Sequence, residues 1–348
     1  MVIGQRNWSI DLGRIAAMLM VLILHINLFG GFLSIKDHSL YYFCILFYEH
    51  IAIIAVNVFV IISAWFLCDK NITISKVVYL FVPIIFWSIL LGIVTHFLGV
   101  EITKKDIFLQ IPVIGSSYSF VTGYLVMFVL SPYTNVLINN LTHKRHQRLC
   151  IILLFFFSLL SPFVKCQYID LNMGYHFFWF ITLYLVTSYI RKYGLFENFT
   201  WYHFLFIYLS LSLLASICEF AGIPYIGQRP YNNPIVVICA FSFFLFFTRI
   251  SIKSKVIVSP ISFFAPLAFS VYLIHANRLI EQWYISQNFS KYVESWYEYI
   301  VIVPLVSAFI YLICSFLELL RIKIFHLAKI DVIINSTCKK IEVLTTKI

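Results

Sequence analysis

The chain has very little charge for its 348 residues. Asp, Glu, Lys and Arg make up only 11% of it, against about 25% in an ordinary soluble domain. That shortage excludes a large water-facing surface, and with it disorder and a charged coiled coil. Glycine and proline are sparse, at 12 and 10 residues, and neither a repeat nor a low-complexity linker is evident. The eight cysteines fall at positions 44, 68, 150, 166, 218, 239, 314 and 338, with no Cys-x-x-Cys pair. They read as small buried hydrophobes, so neither a disulfide framework nor a metal site is expected. Acids are scarcer than bases, 15 against 25, yet the bases lie between apolar stretches rather than in one patch. Nucleic acid is therefore excluded as a partner, and the lipid bilayer takes its place.

What is abundant is apolar. Hydrophobic residues reach 61%, with 36 Phe and 22 Tyr. An all-α integral membrane protein follows, because a helix needs about 20 apolar residues to cross the hydrocarbon core. By that measure ten transmembrane helices are expected, at 10–32, 42–68, 78–99, 119–138, 149–164, 174–190, 202–221, 233–249, 260–281 and 299–320. Asp11 and Arg14 at its start, and a run longer than a leader's apolar core, mark the first as a retained span.

The basic residues set the orientation. Eighteen of the 25 lie in the N-terminal segment, in the loops 69–77, 139–148, 191–201 and 249–259, and in the C-terminal segment from Arg321. Six lie in the intervening loops, and Arg278 lies within a span. That bias places both termini in the cytoplasm. Residues 1–321 form one polytopic membrane domain. The tail 322–348, which alternates apolar runs with lysines, is expected to be cytoplasmic and to lie along the inner surface as an interfacial helix.

Ionisable residues inside spans carry the functional information, since each costs about 2.5–3.5 kcal/mol or more at mid-bilayer without a partner or a purpose. Arg14 and His25 are 11 residues apart, which is three helical turns on one face and about 16 Å along the axis. Asp11 lies at i−3 from Arg14, on nearly the same stripe. One reading has Arg14 holding the anionic head of a ligand whose long arm reaches His25. The other has Arg14 snorkelling to lipid phosphate and His25 hydrogen-bonded between helices. Glu49, His50 and Asn57 in the second span, and His275 and Arg278 in the ninth, either contact substrate or orient the site, or else simply join helices.

The first helix, RNWSIDLGRIAAMLMVLILH at 6–25, resembles that of the acyltransferase-3 family of integral membrane acyltransferases, including the family's arginine–ten residues–histidine motif. The resemblance continues through NVFVIISAWFL at 57–67, PIIFW at 83–87 and FVTGYLVMFVLSPYTNVL at 120–137. WFITLYLVTSYIRKYG at 179–194 and SVYLIHANRLI at 270–280 also fit. Ala64 and Ser119 depart from the family's usual glycine and tryptophan, and neither change removes a titratable group.

The resemblance implies O-acyl transfer, usually acetyl, from cytoplasmic acyl-CoA to a hydroxyl of a surface polysaccharide or its lipid-linked precursor, in a bacterial inner membrane. It implies His25 as the base, or as a transient acyl carrier, and Arg14 with Asp11 at the CoA phosphates. Acetyl-CoA would be a co-substrate, and no permanently bound cofactor is expected. The competing class is a transporter or flippase for the glycan lipid. Such a protein should display repeated halves and Gly- or Pro-broken helices about a midplane site.

Overall fold

The structure is a computed structural model, and it describes residues 6–70, 72–97, 119–164, 167–277, 280–281 and 288–345. Among the described residues there are helices and no strands. Helix α1 (Trp8–Phe29) starts where the Asn7 side chain accepts from the amides of Ser9 and Ile10, which satisfies two of the orphan donors of a first turn. It ends at a turn in which Gly31 takes a φ of +84°, a conformation that disfavours any side chain. There Ser290 N donates to Gly30 O at 2.8 Å, tying the helix end to the segment before the last span.

The expected second span is two helices, α2 (Leu40–Ala52) and α3 (Ala55–Leu67), which together form a 28-residue apolar stretch with a break at Ile53–Ile54. Next come α4 (Ile74–Phe97) and α5 (Ser119–Asn140), each with an internal proline, Pro83 and Pro132. The fifth span starts earlier than the expected residue 149. Thr142 caps α6 (His143–Leu154) by accepting from Arg145 N, so Lys144, Arg145 and Arg148 belong to its first turns rather than to a loop. A π-turn over Phe155–Leu159 and a 3-10 turn over Ser161–Phe163 carry this span onward.

The chain continues through α7 (Phe177–Tyr193), α8 (Trp201–Phe220), α9 (Pro234–Arg249), α10 (Lys255–Phe264) and α11 (Ala268–His275). A 3-10 turn at Ala265–Leu267, built around Pro266, separates the last two. Helix α12 (Trp296–Leu327) is longer than the expected 299–320; Ser295 and Glu298 form a capping box at its start. A final helix, α13 (Ile330–Thr345), approaches α4 where Tyr79 Oη meets Asp331 O at 3.5 Å.

Eight helical stretches are long and apolar enough to cross a membrane. The expected spans at 174–190 and 233–249 correspond to α7 and α9, of 17 and 16 residues. Both are interior helices, with α7 burying Trp179, Phe180, Leu183 and Tyr184 almost completely. Helix α1 is central too, packed against α2, α3, α9, α10, α11 and α12. Among the described membrane-length stretches, α4, α6 with the turns after it, α8 and α12 leave the most apolar surface exposed. Their exposed residues form stripes at helical spacing, such as Ile85, Ile89 and Ile93 on α4, and Val301, Leu305, Phe309 and Phe316 on α12. Apolar stripes of that extent suit a bilayer and not water.

The segments rich in lysine and arginine share one end of the bundle. Ser9 Oγ donates to Ile250 O, Arg191 pairs with Asp69 at 2.7 Å, and Arg249 donates to Phe196 O. The opposite end gathers Gly30, Tyr41, Val293, Glu49, Glu219 and Arg229. Between these ends, Glu318 of α12 accepts from Trp87 Nε1 of α4 at 2.8 Å and from Arg321 through both its oxygens. A buried acid with this many donors is compensated, and it fixes α4 against α12.

Candidate active site

At the basic end, Asp11 is buried and sits between two guanidiniums. It accepts from Arg6 Nε at 2.6 Å and from Arg14 Nη1 at 2.9 Å. The carboxylate therefore fixes how Arg14 is presented, while the cluster of Arg6, Asp11 and Arg14 keeps one net positive charge. Arg14 lines a cavity of about 220 Å³ that runs past Met18 and Val21 on α1 to Tyr272 on α11. Ser63 and Tyr124, whose hydroxyls lie 2.9 Å apart, also line it. Phe59, Phe120 and Phe269 join Met18, Val21, Val56 and Leu80 in an apolar wall.

Tyr272 leads directly to the histidines, with its ring centroid 6.0 Å from that of His275. His275 and His25 face each other at 5.0 Å between ring centroids. The Nδ1 of His275 lies 2.6 Å from Val271 O. A carbonyl only accepts, so this nitrogen carries the proton and Nε2 keeps its lone pair. That Nε2 atom is buried and has no hydrogen-bond partner among the described residues, and the same is true of His25 Nδ1. Glu281 Oε1 is 3.9 Å from His25 Nδ1, an ion-pair distance rather than a hydrogen bond. Two neighbouring imidazoles with unsatisfied nitrogens can accept a proton or orient a hydroxyl between them.

Beyond His25, Leu28 on the next turn of α1 lines a second cavity of about 760 Å³ at the opposite end of the bundle. Glu49, Glu219 and Arg229 stand in its wall. Arg229 bridges the two acids, 3.2 Å from Glu49 Oε1 and 3.0 Å from Glu219 Oε1. His50 Nε2 is 2.8 Å from Glu219 Oε2. Glu49 also accepts from Asn27 Nδ2 at 2.8 Å, and Asn27 accepts from Tyr299 Oη at 2.8 Å. Among the described residues, no three His, Cys, Asp or Glu side chains gather as metal ligands, and the seven described cysteines are free.

The model of the acyltransferase domain family matches residues 7–319. The chain belongs to the acyltransferase-3 family. A search of curated proteins and one of solved structures each returned no match. The protein is thus a multi-pass membrane acyltransferase.

The acyltransferase brings together Asp11 and Arg14 at one cavity, His25 against His275, and Glu49 in the wall of the other cavity with His50 on its Glu219. Asn57 stands apart from this line. It accepts from Trp179 Nε1 at 3.0 Å and donates to Tyr231 O at 2.6 Å, holding α3 to α7 and to the segment before α9. Asn57→Ala is expected to lower stability by about 1–3 kcal/mol, since it strands a buried indole donor. A melting curve of detergent-solubilised protein measures this, and an unchanged midpoint would rule out that role. Arg278 lies outside the described residues.

Sequence reasoning missed Arg229 and Glu219 as partners of Glu49 and His50, and it missed Asn27. A signal for the first existed: two carboxylates inside adjoining spans require a cation, and Arg229 lies in the loop that follows Glu219. It also missed Glu281, whose carboxylate stands 3.9 Å from His25.

Proposed function

We propose that the protein is an O-acyltransferase that moves an acyl group, acetyl by the family resemblance, from cytoplasmic acyl-CoA to a hydroxyl of an extracytoplasmic or lipid-linked glycan. One observation supports this reading. Arg14 and Tyr272 line a cationic cavity at the basic end, Tyr272 meets His275 and His275 meets His25, and Leu28, one turn beyond His25 on α1, lines a second cavity at the other end. A donor with an anionic head and a long arm fits the first half of that line, and a sugar fits the second. The basic end would face the cytoplasm, as the distribution of lysine and arginine requires. The membrane would be a bacterial inner membrane.

In this mechanism Arg14, held by Asp11, binds the phosphates of acyl-CoA. The pantetheine arm lies in the apolar cavity and brings the thioester to His25. The acceptor oxygen attacks the thioester carbonyl carbon while His25, neutral through its Nε2, takes the hydroxyl proton. Collapse of the tetrahedral intermediate breaks the carbon–sulfur bond. The leaving thiolate recovers the proton from the imidazolium, so ester and free CoA form with no net proton change. Glu281 opposite Nδ1 favours the tautomer that leaves Nε2 unprotonated and steadies the imidazolium. His275, with its own tautomer set by Val271 O, orients the incoming hydroxyl.

Arg14→Ala is expected to raise the KM for acyl-CoA about 10- to 100-fold with a smaller change in kcat, because charge-assisted phosphate contacts are lost. Initial rates against acetyl-CoA concentration, in protein reconstituted in nanodiscs, measure this. An unchanged KM would remove the phosphate role. The reading as a whole is tested by mass spectrometry of surface glycans from cells with and without the protein. The absence of any acyl difference between them would sink it.

A further inference from the structure

We infer that the outer cavity is the acceptor subsite and that it selects uncharged sugar units over acidic ones. This rests on the transferase reading above and names the substrate class of that site. Three features of the cavity point the same way: its charge, its walls and its position.

The charge is decisive. The ionisable groups in the lining are Glu49, Glu219 and Arg229, together with the Tyr175 and Tyr231 hydroxyls. His50 stands behind Glu219. Two carboxylates share the one guanidinium, so Arg229 is already paired on both sides and offers no unspent positive charge to an anion. With His50 neutral the wall carries one net negative charge, and protonating His50 brings it only to zero. With both carboxylates ionised, the wall formed by the described residues is cationic in neither state. A uronic acid or a phosphorylated sugar would have to approach carboxylates whose cation is already shared. A neutral sugar meets the opposite situation, because carboxylate oxygens accept from sugar hydroxyls.

The walls fit a pyranose as well. Tyr175 and Tyr231 pack edge-to-face with ring centroids 4.8 Å apart, and their hydroxyls are 3.1 Å apart. Ile53, Leu28 and Pro230 add apolar surface. Aromatic and aliphatic surface beside hydroxyl acceptors is what the two faces and the rim of a sugar ring require. The volume of about 760 Å³ holds more than one ring. Its position completes the argument, since Leu28 is one turn beyond His25 on α1, so a sugar seated there presents a hydroxyl towards the imidazole.

The test uses the full-length protein in nanodiscs and two trisaccharides of the same β-1,4 backbone, cellotriose and cellotriuronic acid, which differ at C6. Binding is read by saturation-transfer NMR titration without acyl-CoA. Cellotriose is expected to bind at least about tenfold more tightly than the acid. Glu219→Gln, which removes one charge and keeps the shape, is expected to shrink that ratio at least about threefold. Arg229→Gln, which leaves the carboxylates uncompensated, is expected to widen it by a similar factor. Tighter binding of the acidic trisaccharide, loss of that binding in Arg229→Gln, or binding of neither probe overturns the inference. Failure of the transferase reading appears separately, as surface glycans whose acylation does not depend on the protein, and leaves the binding ratio as measured.

Discussion

His25→Ala should reduce acyl transfer by about 10²- to 10⁴-fold, the usual contribution of a positioned general base. The expectation follows from where the imidazole stands. On α1 His25 lies between Arg14 and Leu28, which line the two cavities, and it is 5.0 Å from the His275 ring and 3.9 Å from Glu281, with a buried Nδ1 that has no hydrogen-bond partner among the described residues. A histidine whose purpose was to join helices would have both nitrogens engaged. The substitution should leave the fold intact. The ring is partly exposed, meeting Phe29 edge-on and His275 at a tilt, so the packing lost is small. Membrane insertion and melting temperature serve as controls. The assay is transfer of radiolabelled acetyl from acetyl-CoA to the glycan acceptor, with added imidazole as a second arm. Recovery of rate with imidazole in His25→Ala, and none in wild type, marks a missing base. Full product formation by the variant without imidazole would end the proposed mechanism.

Much of this site was legible in the sequence because a bilayer makes every exception conspicuous. Arg14 and His25 stand out on α1 since nothing else on that face is charged after Asp11, and an 11-residue separation has only one meaning on a helix. Glu49 and His50 were visible for the same reason. The connections were not legible. Which cation meets Glu49 depends on how α2 and α8 pack, and Arg229 is 180 residues further along the chain. Helix boundaries failed where local chemistry outweighs hydropathy. Thr142 caps α6 and draws a basic hexapeptide into the helix, and α2 and α3 part at Ile53–Ile54 with no glycine or proline to announce it. The short helices α7 and α9 read as ordinary spans because an apolar run looks alike whether lipid or protein covers it.

Glu49→Ala should lower both stability and turnover, and the reason lies in what Glu49 holds. Its carboxylate is 6% exposed and meets Asn27 Nδ2 and the Arg229 guanidinium. Asn27 is two residues beyond His25, and its amide oxygen accepts from Tyr299 of α12. Glu49 thus ties the end of α1 remote from Arg14 to α2, so its expected effect on catalysis is that of a positioning residue. Breaking a buried ion pair outright costs about 3–5 kcal/mol. Here Glu219 still pairs with Arg229, so the cation is not abandoned, and the main damage is the buried Asn27 amide left without an acceptor. About 2–3 kcal/mol is the expected loss, read from chemical or thermal melting in one detergent. Turnover of the remaining folded enzyme should fall at least about tenfold, because a displacement of His25 by even 1 Å disturbs the attack geometry. KM for acyl-CoA should stay put, since the Arg14 cavity is at the other end of α1. Glu49→Gln separates charge from position. It retains an oxygen for Asn27, so its kcat should lie within about threefold of wild type while stability drops by about 1 kcal/mol. If Glu49→Ala melts early but turns over normally, the tie to Asn27 supports the fold and has no part in placing His25.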